Sequence, residues 1–366
     1  MLGNRKSGLD GLRAFAITLI VASHCGFLGQ GGVGNCFFFA LSGFLLVKPF
    51  SQEYAFEFDS LHKIGRYYSG RIIRIIPPFW CSLWLATVFK QYYTLAEWDS
   101  YYNLILNMFF VKSMGHLWFL QQEMVFYLIY PLFAVIILGV WQLMKHSVLT
   151  PAQRYFAIAV LLVVVSRVYS KYWMSGFIHL CGNGKEQPFL LEHFMIGMAT
   201  GFVYKGIVSK GFKLTIPVIR VVADGFVLLF LISCIMSSHE VLRRFNPSWD
   251  TLYVGWRYTL IFTICASIAI LILLCFPNGF ANKFLGNRCF AYIGRHSYII
   301  YLIHWYFLDS FRQDNHVLFF GIVYLVSVSC AAMLRALVEV PCLIYAKDYS
   351  FQRVKDYFKN LKLDSY

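Results

Sequence analysis

Long apolar runs alternate with short polar segments along almost the whole chain. The hydrocarbon core of a bilayer is about 30 Å thick, so one helical crossing needs roughly 20 apolar residues. On this criterion we predict spans near residues 11–28, 33–50, 76–90, 117–141, 155–172, 188–204, 217–237, 254–276, 289–308 and 317–343. The pattern therefore predicts an all-α fold, a polytopic transmembrane helical bundle of about ten spans.

The predicted domain organisation is simple. One integral membrane domain covers residues 1–346, and a short basic cytoplasmic tail covers residues 347–366. The chain does not begin with a charged region, a short apolar region and a small-residue cleavage site in that order. We therefore expect the N-terminal segment to be retained and not removed as a signal peptide.

One segment, from Leu61 to Pro77, is too polar to cross a membrane but has apolar residues at helical spacing. These residues are Ile64, Tyr67, Tyr68, Ile72 and Ile75. Such spacing, combined with a basic face, is typical of an amphipathic helix that lies in the membrane interface. We predict a cytoplasmic interfacial helix here, whose basic face meets anionic lipid headgroups.

Composition and charge agree with a membrane protein. The 366 residues are 59% hydrophobic and only 14% charged. The formal net charge of +14 does not indicate nucleic acid as a partner, because the basic residues lie between apolar runs and not on a soluble surface. With the N-terminus placed inside, 19 Lys and Arg fall in cytoplasmic segments and 7 in outer ones. The positive-inside rule therefore predicts that both termini are cytoplasmic.

Several common site types have no support in the sequence. The ten cysteines mostly lie inside apolar runs, with no Cys-x-x-Cys pair and no His/Cys cluster at metal-binding spacing. We therefore expect neither a disulfide framework nor a bound metal. There is also no Gly-rich phosphate loop, no Gly-x-Ser-x-Gly elbow and no His-Glu-x-x-His helix.

The first predicted span carries Arg13 and His24, eleven residues apart. Eleven residues make about three helical turns, so these side chains share one face, roughly 16 Å apart along the axis. Asp10 lies on the same face. An ionisable group inside a membrane is costly and is a functional candidate by default. The alternative is an Asp10–Arg13 pair at the interface together with a packed structural histidine.

Two further groups contain charged residues. Arg71 and Arg74 stand one helical turn apart just before Pro77 and Pro78. Paired guanidinium groups suit a phosphate, although basic residues beside a membrane are also common on the cytoplasmic side.

The second group lies around the predicted fourth span. Glu123 is embedded in an apolar run, and helical spacing places it on one side with His116 and Tyr127, so we expect these residues to line the same cavity as His24. The alternative is a structural ion pair, for instance of Glu123 with Arg13. His304 and Glu339 lie late in the chain, and each taken alone is better explained by a structural than by a catalytic role.

Taken in order, these elements resemble the acyltransferase-3 family of integral membrane O-acyltransferases, in its stand-alone form without a fused esterase-like domain. The resemblance rests on DGLRAFAITLIVASH (10–24), GVGNCFFFALSGFLLV (32–47), the arginine pair, HLWFLQQEMVFYLIYP (116–131), LGNRCFAYIGRHSYIIYLIH (285–304) and the closing Glu339 and Pro341. It covers nearly the whole chain, although residues 142–280 are supported only by their hydropathy.

The resemblance implies an enzyme of the bacterial inner membrane that transfers an acyl group to a hydroxyl of a glycan or glycolipid. The acyl donor would be acetyl-CoA or another acyl-CoA from the cytoplasm, with Arg71, Arg74 and Arg13 as its binding residues. His24 and Glu123 would be catalytic, and His116, Tyr127 and His304 would bind substrate. An ordinary histidine pKa near 6.5 suits a general base that takes the proton of the acceptor hydroxyl. Transient acylation of His24 or Ser42 is a second route.

Two other classes of function remain open at this stage. A secondary transporter would use His24, Glu123 and Arg13 as a proton or anion relay, although the chain has no evident repeat. A non-catalytic membrane protein would use the same residues only for structural ion pairs. The non-catalytic alternative leaves the ordered set of motifs unexplained. Against a transporter, the arginine pair lies in the predicted interfacial helix and not near the membrane midplane.

Overall fold

The computed structural model describes residues 7–29, 31–47, 60–88, 101–113, 115–172, 179–182, 185–211, 217–237, 256–348 and 351–359. Most of these residues are helical. The helices are α1 (Ser7–His24), α2 (Gly31–Leu46), α3 (Leu61–Val88), α4 (Tyr101–Met108), α5 (Trp118–Lys145), α6 (Pro151–Tyr172), α7 (Leu191–Ser209), α8 (Pro217–Met236), α9 (Trp256–Cys275), α10 (Phe280–Leu285), α11 (Arg288–Ile303), α12 (His316–Leu334), α13 (Val340–Asp348) and α14 (Phe351–Lys359).

The protein is a multi-pass membrane protein. Among the described residues, four helical segments are long and apolar enough to cross a bilayer: Gly115–Lys145, Pro151–Tyr172, Pro217–Met236 and His316–Ala346. Large apolar side chains are exposed on their outer faces, for example Leu132 at 63% and Leu229 at 69%. Such a surface is stable against lipid but not against water. The number of about ten spans and the cytoplasmic position of a surface helix remain predictions.

Helix α1 lies in the interior of the bundle, because Leu12, Ile17 and Val21 on its different sides are all fully buried. It packs against α2 on one side and α11 on another. Helices α1 and α11 run in the same direction, since the backbone of Asp10 meets Gly294 at one end and His24 meets His304 at the other. Both predicted polar groups of the first span therefore face a neighbouring helix and not lipid.

Gly294 sets the close approach of α1 and α11. A Cβ atom at this position would overlap the backbone carbonyl of Asp10. Because backbone atoms cannot rotate away, we expect Gly294→Ala to lower the free energy of unfolding by about 1–3 kcal/mol. Thermal unfolding in detergent measures this change. Gly139→Ala is the matched control, because a Cβ there meets no atom within 4 Å and a helical alanine is favourable. Equal melting temperatures for the two variants would contradict this account of the packing.

The all-α prediction holds for the fold as a whole, and the structure adds one small sheet that was not predicted. Its strands are β1 (Lys112–Ser113), β2 (His179–Gly182) and β3 (Lys185–Pro188), with β1 parallel to β2 and β2 antiparallel to β3. Strands of two to four residues are too short to show the alternating pattern that identifies a strand in sequence. The helix predicted at 188–204 begins and ends later than expected. Pro188 is the last residue of β3, and α7 runs from Leu191 to Ser209.

The predicted interfacial helix and the span after it form one continuous helix, α3, with Pro77 and Pro78 inside it. Each proline lacks the N–H of one helical hydrogen bond but otherwise fits helical φ. The segment before the prolines is also tied to neighbouring helices: the Tyr67 hydroxyl donates to the Tyr127 carbonyl, and the Tyr298 hydroxyl donates to the Ile75 carbonyl at 2.8 Å. Tandem prolines are thus no helix boundary in this chain.

The last predicted span also continues beyond its expected end. A π-helical turn, Arg335–Glu339, joins α12 to α13, which runs on to Asp348. The predicted tail begins in the last residues of α13, and it contains the further helix α14, whose Tyr357 hydroxyl donates to the Ala336 carbonyl in the π turn at 3.0 Å. A π turn often marks a functional site, because it rotates the side chains that follow it. Here it directs Glu339 toward the centre of the bundle.

Candidate functional site

A polar cavity lies between α1, α2, α3, α5, α11 and the π turn. Its charged and hydroxyl-bearing lining residues are Arg13, Ser42, Arg71, Arg74, Glu123, Tyr127, Arg295, Ser297, Tyr298, Tyr301 and Glu339. Five residues predicted from the sequence, namely Arg13, Arg71, Arg74, Glu123 and Tyr127, thus line one cavity although three different helices carry them. Such a concentration of ionisable groups inside a membrane protein makes the cavity the candidate functional site.

Helix α3 supplies Arg71 and Arg74 from consecutive turns of the same face. The Arg71 guanidinium lies over the Tyr127 ring, 4.9 Å from its centroid, and 5.7 Å from the centroid of Tyr67. Stacking on aromatic rings fixes the plane of a guanidinium group while leaving its N–H donors available. Arg74 is exposed, so the pair forms the open end of the cavity.

Glu123 is held by two hydroxyl groups. The Ser42 Oγ and the Tyr127 hydroxyl both donate to its Oε1 atom, each at 2.5 Å. Both hydroxyl groups thus direct their protons at the same carboxylate oxygen. The Ser42–Glu123 contact joins α2 to α5, and it was not predicted, because the two residues are 81 positions apart. A hydroxyl that donates to a carboxylate has the geometry required of a nucleophile and its base, and the sequence does not reveal this contact.

The cavity carries a net positive charge. Of its four arginines, Arg13 is paired with Asp10 through an Nη1–Oδ1 distance of 2.8 Å. Glu339 is balanced in turn by Arg335 at 3.4 Å. Arg71, Arg74 and Arg295 then face one further lining carboxylate, Glu123. Within the described part of the chain, the buried Arg295 Nε has no hydrogen-bond partner. The arrangement therefore suits an anionic ligand.

The three predicted histidines form a separate cluster beyond the closed end of the cavity. The Nδ1 atom of His24 is 2.8 Å from the Nε2 atom of His304, and their rings stack at 5.1 Å. The His116 ring lies 5.0 Å from that of His304. Trp305 packs against both other histidines, at 4.8 Å from His24 and 5.2 Å from His116. His304 is fully buried, whereas His24 is partly exposed.

The expectation that His116, Glu123 and Tyr127 line the same cavity as His24 is wrong. Glu123 and Tyr127 line the cavity, while His116 and His24 belong to the histidine cluster. His116 lies in a 3-10 turn, Gly115–Leu117, that precedes α5, and Gly115 has a φ of 54°. Because His116 lies in this turn and not in α5, α-helical spacing does not place it on the same side as Glu123.

Two aromatic rings stand between the cavity and the histidine cluster. Phe119 and Tyr301 both line the cavity, with their ring centroids 5.7 Å apart. Tyr301 also touches the cluster, because its hydroxyl donates to the His116 carbonyl and its ring lies 6.0 Å from that of His304. Since Tyr301 precedes His304 by three residues, the cavity ends about 4.5 Å, just under one helical turn, from the histidines along the helix axis.

The arginine-lined cavity and the histidine cluster together suit a reaction in which an anionic ligand binds at one end and reacts at the other. The arginine end attracts an anion, and the histidine end offers imidazole nitrogens that donate and accept hydrogen bonds. Among the described residues, no group of three His, Cys, Asp or Glu side chains has a metal-binding arrangement.

Comparison with known proteins gives the family context. A family model described as an acyltransferase domain matches residues 6–338. The chain is 24% identical over 356 residues to the O-acetyltransferase OatA of Staphylococcus aureus (strain NCTC 8325 / PS 47), a match that covers 89% of this chain and 55% of OatA. It is also 24% identical over 355 residues to YrhL of Bacillus subtilis (strain 168), which is named as a peptidoglycan O-acetyltransferase; this match covers 88% of the chain and 52% of YrhL.

The chain therefore spans about half the length of the curated relatives that it matches. No solved structure matches it.

Proposed function

The chain belongs to the acyltransferase-3 family, and from this membership we propose that it transfers an acyl group, acetyl in the first place, from acyl-CoA to a hydroxyl of a cell-surface or lipid-linked glycan. The observation that carries the proposal is the cavity that leads from three arginines to within one helical turn of a histidine cluster. A ligand with phosphates at one end and a reactive thioester at the end of a long arm matches this layout. The relatives' names supply the acetyl group and the glycan class.

At the donor end, Arg71, Arg74 and Arg295 would bind the phosphates of CoA. Guanidinium groups bind phosphate through two parallel N–H donors, and their charge compensates the cost of placing the anion at the edge of the membrane. Arg13 keeps Asp10 as its counterion, so its contribution would be to line the path. These residues would lie on the cytoplasmic side, where acyl-CoA is made.

At the acceptor end, His24 would act as general base. Its partly exposed ring would take the proton of the acceptor hydroxyl while the hydroxyl oxygen attacks the thioester carbonyl. The new C–O bond then replaces the C–S bond, and the CoA thiolate leaves and receives a proton. Phe119 and Tyr301 must move for the thioester to reach His24, which would keep water from the thioester until the acceptor is bound.

A covalent route through Ser42 is the second candidate mechanism, and the Ser42–Glu123 hydrogen bond of 2.5 Å favours it. Ser42 would be acylated by the thioester and would then pass the acyl group to the acceptor. Its position argues for the direct route. Ser42 shares Glu123 with Tyr127, and the Tyr127 ring stacks on Arg71, so Ser42 lies at the phosphate end of the cavity.

Mass spectrometry of cell-envelope glycans tests the proposal. Cells that contain the protein should carry one acyl mass per modified hydroxyl that is missing from cells without it, and the mass identifies both acyl group and acceptor. Restoration by the wild-type gene and not by a His24→Asn gene completes the comparison. Identical glycans in both strains, together with substrate-dependent proton flux in proteoliposomes that lack CoA, would instead support the transporter function.

A further inference from the structure

The hydrogen bonds around His304 define which of its ring nitrogens carries a proton. Its Nδ1 atom is 2.9 Å from the Tyr301 carbonyl oxygen and 3.1 Å from the Ile300 carbonyl oxygen. A carbonyl oxygen only accepts hydrogen bonds, so Nδ1 of His304 must be the donor. His304 is fully buried, and an imidazolium without a counterion is costly in such a place. The ring is therefore neutral, and its Nε2 atom carries the lone pair.

This assignment determines the tautomer of His24. The His304 Nε2 atom accepts, so the His24 Nδ1 atom at 2.8 Å must donate. A neutral imidazole has one N–H, and His24 therefore keeps its lone pair on Nε2. The chain of donors runs from His24 through His304 to the last carbonyls of α11, which a helix end leaves partly unsatisfied.

We propose that His304 is a positioning residue that fixes His24 in the Nδ1–H tautomer, so that the Nε2 lone pair receives the proton of the acceptor hydroxyl. The proposal rests on the proposed function only for the identity of the acceptor. Once His24 has taken the proton, its Nδ1–H becomes a charge-assisted donor to His304, and the bond strengthens as positive charge develops. We thus propose a positioning role for His304 in place of the substrate-binding role predicted from the sequence.

The other members of the cluster hold His304 in place. His116 packs edge-on against the His304 ring at 5.0 Å, and its Nε2 atom is 3.2 Å from the Leu302 carbonyl. His116 Nε2 is thus also a donor, and it does not compete with His24 for the lone pair of His304. Trp305 closes the side of His24 with its ring nearly perpendicular, at 84°.

Two substitutions separate positioning from packing. In His304→Gln, the side-chain amide oxygen reaches the position of Nε2 and still accepts from His24. In His304→Leu, the size is similar but the acceptor is lost. We expect the leucine variant to lower kcat for acyl transfer by about 10²–10³-fold, within the range for general base catalysis, with the KM for acetyl-CoA unchanged. The glutamine variant should recover most of this loss.

The tautomer gives a readout that does not depend on activity. Nitrogen NMR of ¹⁵N-histidine-labelled protein in nanodiscs distinguishes Nδ1–H from Nε2–H rings, and comparison with His24→Asn assigns the His24 signals. We expect the Nδ1–H form of His24 in wild type and in His304→Gln, and a mixture of both forms in His304→Leu. His146→Gln, at an exposed position, should change neither the signals of His24 nor the rate.

Two outcomes would overturn the proposal: a pure Nδ1–H form of His24 in His304→Leu, or a glutamine variant with a rate no higher than the leucine variant. Failure of the proposed function gives a different result. In that case wild-type protein transfers no acyl group from acyl-CoA, while the NMR comparison still decides whether His304 sets the tautomer of His24.

Discussion

Substitution of His24 by asparagine is expected to reduce acyl transfer by about 10²–10⁴-fold, the usual contribution of a general base. The asparagine amide N–H₂ takes the position of the Nδ1–H donor and keeps the hydrogen bond to His304. It has no lone pair at the position of Nε2, so the base is lost while the contact between α1 and α11 is retained. Because the arginine end is untouched, the Kd for CoA should not change.

The measurement is transfer of labelled acetyl from acetyl-CoA to a competent acceptor, made on purified protein whose thermal unfolding matches wild type. His146→Asn is the matched control, since this exposed histidine lies at the end of α5, outside both the cavity and the histidine cluster. An active His24→Asn variant beside an inactive Ser42→Ala variant would contradict the direct route. It would establish instead that the acyl group passes through Ser42, with Glu123 as its base.

Relations within one helix could be predicted from the sequence, because helical geometry is regular. The family resemblance is confirmed by the match over residues 6–338. The spacing of Arg71 and Arg74 and that of Glu123 and Tyr127 follow from 3.6 residues per turn, and the structure places all four in one cavity. The site roles of these residues stay predictions until they are tested.

Relations between helices could not be predicted in the same way. His24 and His304 are 280 positions apart, and Ser42 and Glu123 are 81 apart, so periodicity does not indicate that they meet. Arg295 had no expected role, because a single arginine in an apolar run looks like any residue that extends to the interface. The error at His116 has a local cause: His116 lies in the 3-10 turn Gly115–Leu117, and α-helical spacing applies only from Trp118, where α5 begins.

Loss of both donor-side arginines should affect binding more than chemistry. We expect Arg71→Ala combined with Arg74→Ala to weaken acetyl-CoA binding by about 100-fold or more, because a hydrogen bond to a charged group contributes about 1.5–3 kcal/mol and each 1.4 kcal/mol is tenfold in Kd. The kcat at saturating donor should fall much less, since His24 lies in the histidine cluster and not in the arginine-lined cavity. Calorimetric titration with CoA and initial rates together measure the two effects.

A shortened donor shows whether these arginines bind phosphate or only support the fold. S-acetylpantetheine carries the same thioester without the phosphates, so wild type and the double variant should use it equally well, although both poorly. Arg66→Ala is the matched control, since this exposed arginine lies on the same helix, contacts His62 and does not line the cavity. Arg71→Lys should recover only part of the affinity, because lysine keeps the charge but loses the planar stacking on Tyr127 and the paired donors. If the double variant is equally impaired with both donors, the arginines shape the cavity and the phosphates bind elsewhere.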